Sequence, residues 1–479
     1  MAKFILRPYQ KKFIQEIHGQ FSNGSKAVLG QGPTGMGKTV IFSCIAEGGV
    51  RAGNRVLILV HRQELICQTS MALSKFGIFH NIVAPAAVIK NAATMQYREL
   101  GRHFYDSSSP CTVGSVQTIG RRLDQFSNYY DFIITDECHH AVAGQWRQIT
   151  DANPRAFLLG LTATPERLDG KGLGISAGGV YETMVLGPTV KELIRDGYLS
   201  APRVYAPPVG FSDQGIKTIA GDFDVKEMAL RLDRPKIIGN AVRHYEKFSS
   251  GMPAVAFCST VEHARHTAEE FRKAGHNFKC IDGTMDDCDR RDAIEGLGNG
   301  KYEGLTSCDI ISEGTDIPVV GCAIFLRKTK SLAKYLQQAG RVLRPYPGKE
   351  FSIILDHVGN VEIHGFPDDD RNWSLDGRSK QKKNSDEDYF FRTCPNCFAC
   401  YKSTQKSCPV CGCSEVVQTK QEIEYIEAEL EEKRRSAAIQ ERKNTSAFNQ
   451  LIELGKRRGY SNPYAWASHV FNARKKRKI

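Results

Sequence analysis

The sequence has no uninterrupted apolar run of about eighteen residues, the shortest that crosses a bilayer as a helix, so no helical membrane span is expected. It also opens without the apolar core and small-residue cleavage site of a secretion signal, since Met1-Ala-Lys-Phe-Ile-Leu-Arg7 is short and already charged. A cytoplasmic location with no membrane partner is the expectation. Acidic residues fall short of basic ones, 53 against 65, and part of the +12 excess sits in Arg474-Lys-Lys-Arg-Lys478. That imbalance points to a polyanionic partner, although a solvated tail has the same composition. The fifteen cysteines are not spaced as a disulfide framework. Cys44, Cys67 and Cys258 stand singly in elements that read as buried, as reduced core residues do, leaving one dense group between Cys394 and Cys413.

What is present is alternation. Short runs of Val, Ile and Leu at 55–60, 132–135, 156–160, 254–257, 323–325 and 353–355 are separated by amphipathic stretches. Strands apolar on both faces with helices between them predict parallel sheets covered on each side, an α/β fold. At 479 residues the chain has length for two or three domains. The alternation pauses between Pro202 and Gly210 and resumes near Met252, which predicts two lobes with an irregular hinge between them. The expected boundaries are 1–205 and 206–380 for the lobes, 385–416 for a cysteine-rich module and 417–479 for a basic helical tail. The polar stretch from Arg371 to Asp388 reads as a linker, and Gln421 to Lys443 as a solvated helix.

The chemistry starts at Gly32-Pro33-Thr34-Gly35-Met36-Gly37-Lys38-Thr39, which fits G-x-x-x-x-G-K-T. Glycines at these positions let backbone N–H groups wrap a polyphosphate, Lys38 reaches the β- and γ-phosphates, and the Thr39 hydroxyl suits Mg²⁺. ATP or GTP is therefore the expected ligand. A phosphate loop needs an acidic partner at the end of a nearby strand, and Asp136-Glu137 follows Phe132-Ile-Ile-Thr135 in that way. Asp136 would hold Mg²⁺ through water while Glu137 orients or deprotonates the attacking water.

With Cys138 and His139 this pair resembles the D-E-x-H box of superfamily 2 helicases and translocases, and further segments fit that family in order. Arg7-Pro-Tyr-Gln10 resembles the adenine-reading Q motif. Val60–Leu65 and Gly114–Thr118 resemble first-lobe contacts to a nucleic-acid backbone, Thr162-Ala-Thr164 a coupling motif, and Phe257–Thr260 a second-lobe strand contact. Glu313-Gly314-Thr-Asp316-Ile-Pro318 resembles motif V, and Gln337–Arg344 fits Q-x-x-G-R-x-x-R. The resemblance implies two RecA-like lobes, ATP bound with Arg7, Gln10, Gly314 and Asp316 beside the phosphate loop, and Arg341 and Arg344 as arginine fingers. Motor lobes followed by a cysteine module, with segments at 160–168, 261–264 and 354–360, resemble the RadD-type helicases of bacteria and similar phage-encoded proteins.

Cys394-Pro-Asn-Cys397 and Cys408-Pro-Val-Cys411 are paired C-x-x-C knuckles, a spacing that suits a structural Cys₄ zinc ribbon, with Zn²⁺ closed off by four protein ligands. An iron–sulfur cluster fits that spacing less well. The aromatic residues between Tyr460 and Phe471, next to the basic run, suit either base stacking or the inside of a helical cap. Around Pro367-Asp-Asp-Asp370 no nuclease spacing is completed, so cleavage by this chain is not expected.

Three functional readings remain open. The first is an ATP-driven motor, a DNA helicase or branch-remodelling translocase, with single-stranded, forked or branched DNA favoured over RNA by analogy with DNA-processing branches of the family. The second is a nucleotide switch that clamps nucleic acid and recruits a protein partner through the ribbon. The third is a motor subunit of a restriction or repair complex.

Overall fold

The computed structural model of this chain describes residues 5–61, 63–138, 144–167, 170–207, 213–219, 221–308, 317–377 and 391–414, then 451–453, 456, 462–465, 467–468 and 471. Seven strands build the first sheet: β1 (Ala27–Gln31), β2 (Val56–Val60), β3 (Asn81–Val83), β4 (Cys111–Ser115), β5 (Phe132–Asp136), β6 (Phe157–Thr162) and β7 (Thr183–Leu186). All are parallel, in the order β3-β4-β2-β5-β6-β1-β7. Alternate side chains explain why these strands read as continuous apolar runs. Val28, Ile58 and Ile134 enter one core, and Leu29, Leu57 and Ile133 enter another on the opposite face.

The second sheet takes up β8 (Ala201–Tyr205), β11 (Ala254–Cys258), β12 (Phe278–Ile281), β13 (Gly304–Ser307), β14 (Cys322–Leu326) and β15 (Phe351–Asp356), with the small hairpin β9 (Thr218–Ile219) and β10 (Asp222–Phe223) between β8 and β11 in the chain. Its order is β12-β13-β11-β14-β15-β8, again parallel. The two α/β lobes expected from the alternation are therefore present. The hinge is displaced, however. Ala201–Tyr205, expected at the end of the first lobe and in an irregular stretch, is the edge strand of the second sheet and pairs with β15. Pro202 disguised it, because a residue without an N–H is tolerated in a strand only where one side is unpaired, as at an edge.

The stretch read as a linker also proves structured in its first half. Arg371 donates to the carbonyls of His364, Phe366 and Asp369, which ties it to the second lobe. A few residues on, Leu375 packs into the first lobe's core, its carbonyl accepts from Gly174 N–H at 2.9 Å, and Gly377 bridges to Lys171. A β-carbon on Gly172 would run into this strap, so the glycines at 172 and 174 mark the groove it occupies. Residues 378–388, the rest of the expected linker, and Gln421–Lys443 lie outside the described residues.

Residues 391–413 form the cysteine module, with β16 (Phe391–Thr393) antiparallel to β17 (Cys400–Lys402). It docks on the free edge of β8, where Ala206 N–H donates to Phe398 at 2.9 Å and Tyr205 bridges to Ala399. Cys394, Ala399, Tyr401 and Cys408 belong to the second lobe's own core. From Ser414 the chain forms a separate compact unit, in which the described residues are partly helical. Among the described residues, no helix is long and apolar enough to cross a membrane.

Candidate functional site

Register decides where the chemistry collects. In the first sheet Gln31 of β1 pairs with Thr162 of β6, and Leu161 of β6 pairs with Asp136 of β5. With strands about 4.8 Å apart, the carboxyl end of the sheet brings the loop at 32–38, the Thr-Ala-Thr segment and the two acids within roughly 10 Å of one another. Gly32 N–H donates to the Thr162 carbonyl at 3.0 Å and Gln31 Nε2 to the Ala163 carbonyl at 3.0 Å, which links the loop to the coupling motif.

The loop itself needs its glycines. Gly35 has φ +92° and Gly37 φ +85°, and Gly37 caps the helix Lys38–Arg51 from the left-handed region. This turn leaves the first N–H groups of the helix pointing into the loop, as anion binding requires. Thr39 is the second residue of that helix. Lys38 Nζ lies 3.3 Å from the Gly32 carbonyl, so its ammonium spans the mouth of the loop. Met36 fills the inside, fully buried against Gly32.

Gln10 reaches the same loop from the helix Pro8–Ser22. Its Nε2 donates to the Met36 carbonyl at 3.0 Å, and its Oε1 accepts from Arg7 N–H at 3.0 Å. A carboxamide has two N–H donors and two acceptor lone pairs, so one of each is left over, the pair that the N6/N7 edge of adenine requires. A β-carbon at Gly37 would come within 2.6 Å of Gln10 Nε2, so this glycine serves both the turn and the contact.

Asp136 closes β5, its Oδ1 accepting from Glu137 N–H at 3.0 Å. Burial first, and then the neighbouring Glu137, push its carboxyl up to about 6, while Lys38 and His61 pull the other way. Charge of this sort in a dry corner suits a cation. Glu137 has φ +50°, rare for a side chain with a β-carbon, and strain of this sort clusters at functional sites. His139, and with it Gly314 and Asp316 of the motif V segment, lie outside the described residues.

The second lobe meets the loop through the helix Leu332–Val342. A β-carbon at Gly340 would collide with Thr34, so motif VI closes directly on the phosphate loop, with Arg341 the next residue. Arg344 lies just past the helix, where burial lowers its guanidinium to about 10. Lys349, a neighbour the sequence did not single out, donates to the carbonyls of Val320 and Val342, and burial together with Arg344 lowers it to about 8. The two segments expected to touch a backbone also meet: Gln117 Nε2 donates to the His61 carbonyl at 3.2 Å, and Ser115 Oγ donates to Gln117 Oε1. His61 lies in the Val60–Leu65 segment read as a backbone contact, but its place beside Asp136 was not foreseen; Tyr198 beside Arg7 was missed, because 191 residues separate the two in sequence and no short motif signals it.

In the cysteine module the Sγ atoms of Cys394, Cys397, Cys408 and Cys411 all lie within 4.8 Å of one another. Cys394 and Cys411 sulfurs are 3.5 Å apart and those of Cys397 and Cys408 are 3.6 Å apart. Disulfide sulfurs stand at about 2.05 Å, whereas a tetrahedron with bonds of about 2.3 Å to zinc has edges near 3.8 Å. The knuckles are also twins in backbone geometry. Phe398 N–H donates to Cys394 and Gly412 N–H to Cys408, while Cys394 N–H donates to Ala399 and Cys408 N–H to Cys413. Phe398 and Gly412 are both left-handed, at φ +60° and +71°. The donor set thus fits a Cys₄ metal ion.

Two parallel α/β lobes with a phosphate loop, a strand-end acid pair and an arginine helix folded onto the loop define an ATP-dependent motor with RecA-like lobes. Residues 3–167 match the family described as Type III restriction enzyme, res subunit, and residues 236–346 match Helicase conserved C-terminal domain. A 51.5 kDa protein of a Lactococcus phage is 31% identical over 441 residues, 90% of this chain and 89% of the phage protein. A Saccharomyces cerevisiae protein that carries the name ATP-dependent helicase IRC3 is 30% identical over 377 residues, 75% of this chain but 52% of the yeast protein, so the chain spans about half of that relative. Among solved structures, a fragment of an HsdR-type subunit of a type I restriction enzyme from Vibrio vulnificus superposes with TM-score 0.56 at 20% identity, over 76% of this chain and 67% of that one, a likeness of fold. The chain belongs to the superfamily 2 helicases of the DExH type and is an ATP-dependent nucleic-acid motor.

Proposed function

We propose that the chain translocates along DNA by hydrolysing ATP at the loop 32–39, and that it remodels or unwinds forked and branched duplexes. The observation that supports this reading most strongly is the seating of Gly340 on Thr34, which brings the motif VI helix of one lobe against the phosphate loop of the other. Lys38 and the loop N–H groups hold the triphosphate, and Gln10 and Arg7 take its base. Glu137 orients the attacking water and accepts its proton, and Arg341 and Arg344 neutralise charge on the γ-phosphate as its bond to the leaving oxygen breaks. Thr39 and Asp136 would hold Mg²⁺, which supplies charge neutralisation on the phosphates when bound. Gly314 and Asp316 complete the nucleotide contacts on the second lobe. Loss of the γ-phosphate removes the group both lobes grip, so hydrolysis favours opening, and alternate closure and opening advance the track.

DNA is favoured over RNA by the Asp-Glu-Cys-His box and by the restriction-enzyme subunits the chain resembles. The Cys₄ module holds Zn²⁺ as a structural clamp on the second lobe and offers Lys402 and Lys406 to DNA or to a protein partner. The deciding experiment is the ATPase rate without nucleic acid and with single-stranded, forked and duplex DNA and RNA at one salt concentration. Stimulation by a DNA substrate together with displacement of a strand supports the reading. ATPase unaffected by every nucleic acid would overturn it. Elemental analysis should find about one zinc per chain, lost when Cys394 and Cys397 are replaced by Ser, and a metal-free wild type would refute the clamp.

A further inference from the structure

We propose that Tyr198 is a positioning residue of the nucleotide site: it holds the Arg7 guanidinium flat beside Gln10, so that the base of ATP stacks on the guanidinium face turned away from Tyr198. This rests on the reading above that Arg7 and Gln10 take the base.

Two contacts hold the guanidinium, and Tyr9 carries one of them on to the phosphate loop. Its carbon lies over the Tyr198 ring, 4.6 Å from the centroid. Nη1 donates to Tyr9 Oη at 3.1 Å, and Tyr9 Oη donates to the Met36 carbonyl at 2.9 Å, the same loop carbonyl that Gln10 holds. The Tyr9 and Tyr198 rings meet edge to face at 5.0 Å and 64°. Tyr198 is itself fixed. It follows the left-handed Gly197, its N–H donates to the Leu193 carbonyl at 2.8 Å, and the next residue, Leu199, packs under Gly35 of the phosphate loop. One unit therefore ties the base-reading glutamine, the arginine and the phosphate loop to a tyrosine from the end of the first lobe.

The physical need is clear. An arginine side chain has many rotamers, and a base that must order it before stacking loses affinity. A planar cation already laid on an aromatic ring offers its second face at little entropic cost. The 4.6 Å spacing leaves no room for a base between Arg7 and Tyr198, so the base belongs on the outer face, where Arg7 is partly exposed. Tyr198 thus acts through Arg7 and does not touch the nucleotide.

The test is steady-state ATPase at saturating nucleic acid for wild type, Tyr198→Ala, Tyr198→Phe, Arg7→Ala and the Arg7→Ala/Tyr198→Ala pair. Inorganic tripolyphosphate, which has no base, serves as a competing inhibitor. Tyr198→Ala should raise KM for ATP roughly threefold to tenfold and move kcat much less, Tyr198→Phe should restore wild-type KM, and the double variant should be no worse than Arg7→Ala. Inhibition by tripolyphosphate should not change. An unchanged KM, additive effects in the double variant, or tripolyphosphate inhibition weakened in step with KM would each overturn the proposal. Failure of the underlying reading shows differently: Arg7→Ala alone would then leave KM for ATP at the wild-type value.

Discussion

Glu137 combines a charge with a backbone angle that a side chain with a β-carbon seldom adopts, and its position next to Asp136 gives the two acids separable tasks. Asp136 sits where burial penalises its charge, so it is the group whose ionisation a cation rewards. Glu137 follows the end of the strand, from where it can serve water. Replacing Glu137 with Gln should leave ATP affinity within a few-fold while lowering turnover by about two orders of magnitude or more, read by nucleotide titration against single-turnover hydrolysis. Lys38→Ala should lose both, because it removes a charge held on the phosphates themselves. If the Glu137 variant keeps near-normal turnover, the general-base role belongs elsewhere. At this scale the sequence shows the short motifs directly, and the fold brings the loop, the acids and Gln10 to one end of the first sheet. The loop, the acids and Gln10 are short motifs whose spacing is their geometry, whereas His61 and Tyr198 reach the site only through the fold.

Elements were legible in proportion to how far their periodicity shows. Strands buried on both faces announce themselves as apolar runs, and all of those read as strands lie in the two parallel sheets. β8 did not, since an edge strand carrying Pro202 looks like a break. The strap did not either, because its affinity for the first lobe rests on Leu375 and on two glycines two hundred residues earlier. The element with the most direct bearing on activity is the motif VI helix. Its glycine at 340 is needed for close approach to Thr34, since even one methyl group there meets a side chain of the other lobe. Gly340→Val should hold the lobes apart: nucleic-acid-stimulated kcat should fall about tenfold or more while ATP-independent folding, followed by circular dichroism and thermal unfolding, stays close to wild type. Equal stimulation in wild type and variant would mean that closure at this contact does not limit the cycle. Leu375→Asp tests the strap separately, because a carboxylate in the first lobe's core should release the strap and raise proteolytic cleavage near residue 377 without removing any group that touches phosphate.

For the molecule as a whole, the balance of buried titratable groups sets its tolerance of acid. Among the described residues, burial depresses four histidines: His80, His244 and His263 to about 4, and His357 to about 3, the last also through His244 stacked on it at 5.1 Å. In the unfolded chain these imidazoles protonate near 6.5, in the folded one far lower. Their contribution to stability is therefore complete above about 6.5 and is lost as pH falls from there toward 4. Burial acts in the opposite sense on carboxyls: Asp136 is raised to about 6, and Asp356 and Asp368 are raised as well, so each takes up its proton earlier in the folded state and favours folding as pH falls. Asp136 begins to matter only near and below 6, and His266, raised by its hydrogen bond to Asp233, gains stability as pH falls, so the four buried histidines outnumber the opposing groups in the interval from about 7 to 6. The urea midpoint of the nucleotide-free protein should therefore drop between pH 7.5 and 6. His357→Phe, which keeps the flat ring beside His244 and Phe325's neighbouring strand while removing one of the four titrations, should flatten that slope. The consequence reaches the cysteine module, because His244 also meets Phe398 edge to face at 5.7 Å. Protonating this stack charges the seat on which the knuckle of Cys394 and Cys397 rests, so acid should loosen the module before the first lobe. Amide exchange should then rise at 391–413 at a pH where the strands of the first sheet are still protected, and simultaneous loss of both would show that the module has no acid-sensitive seat of its own.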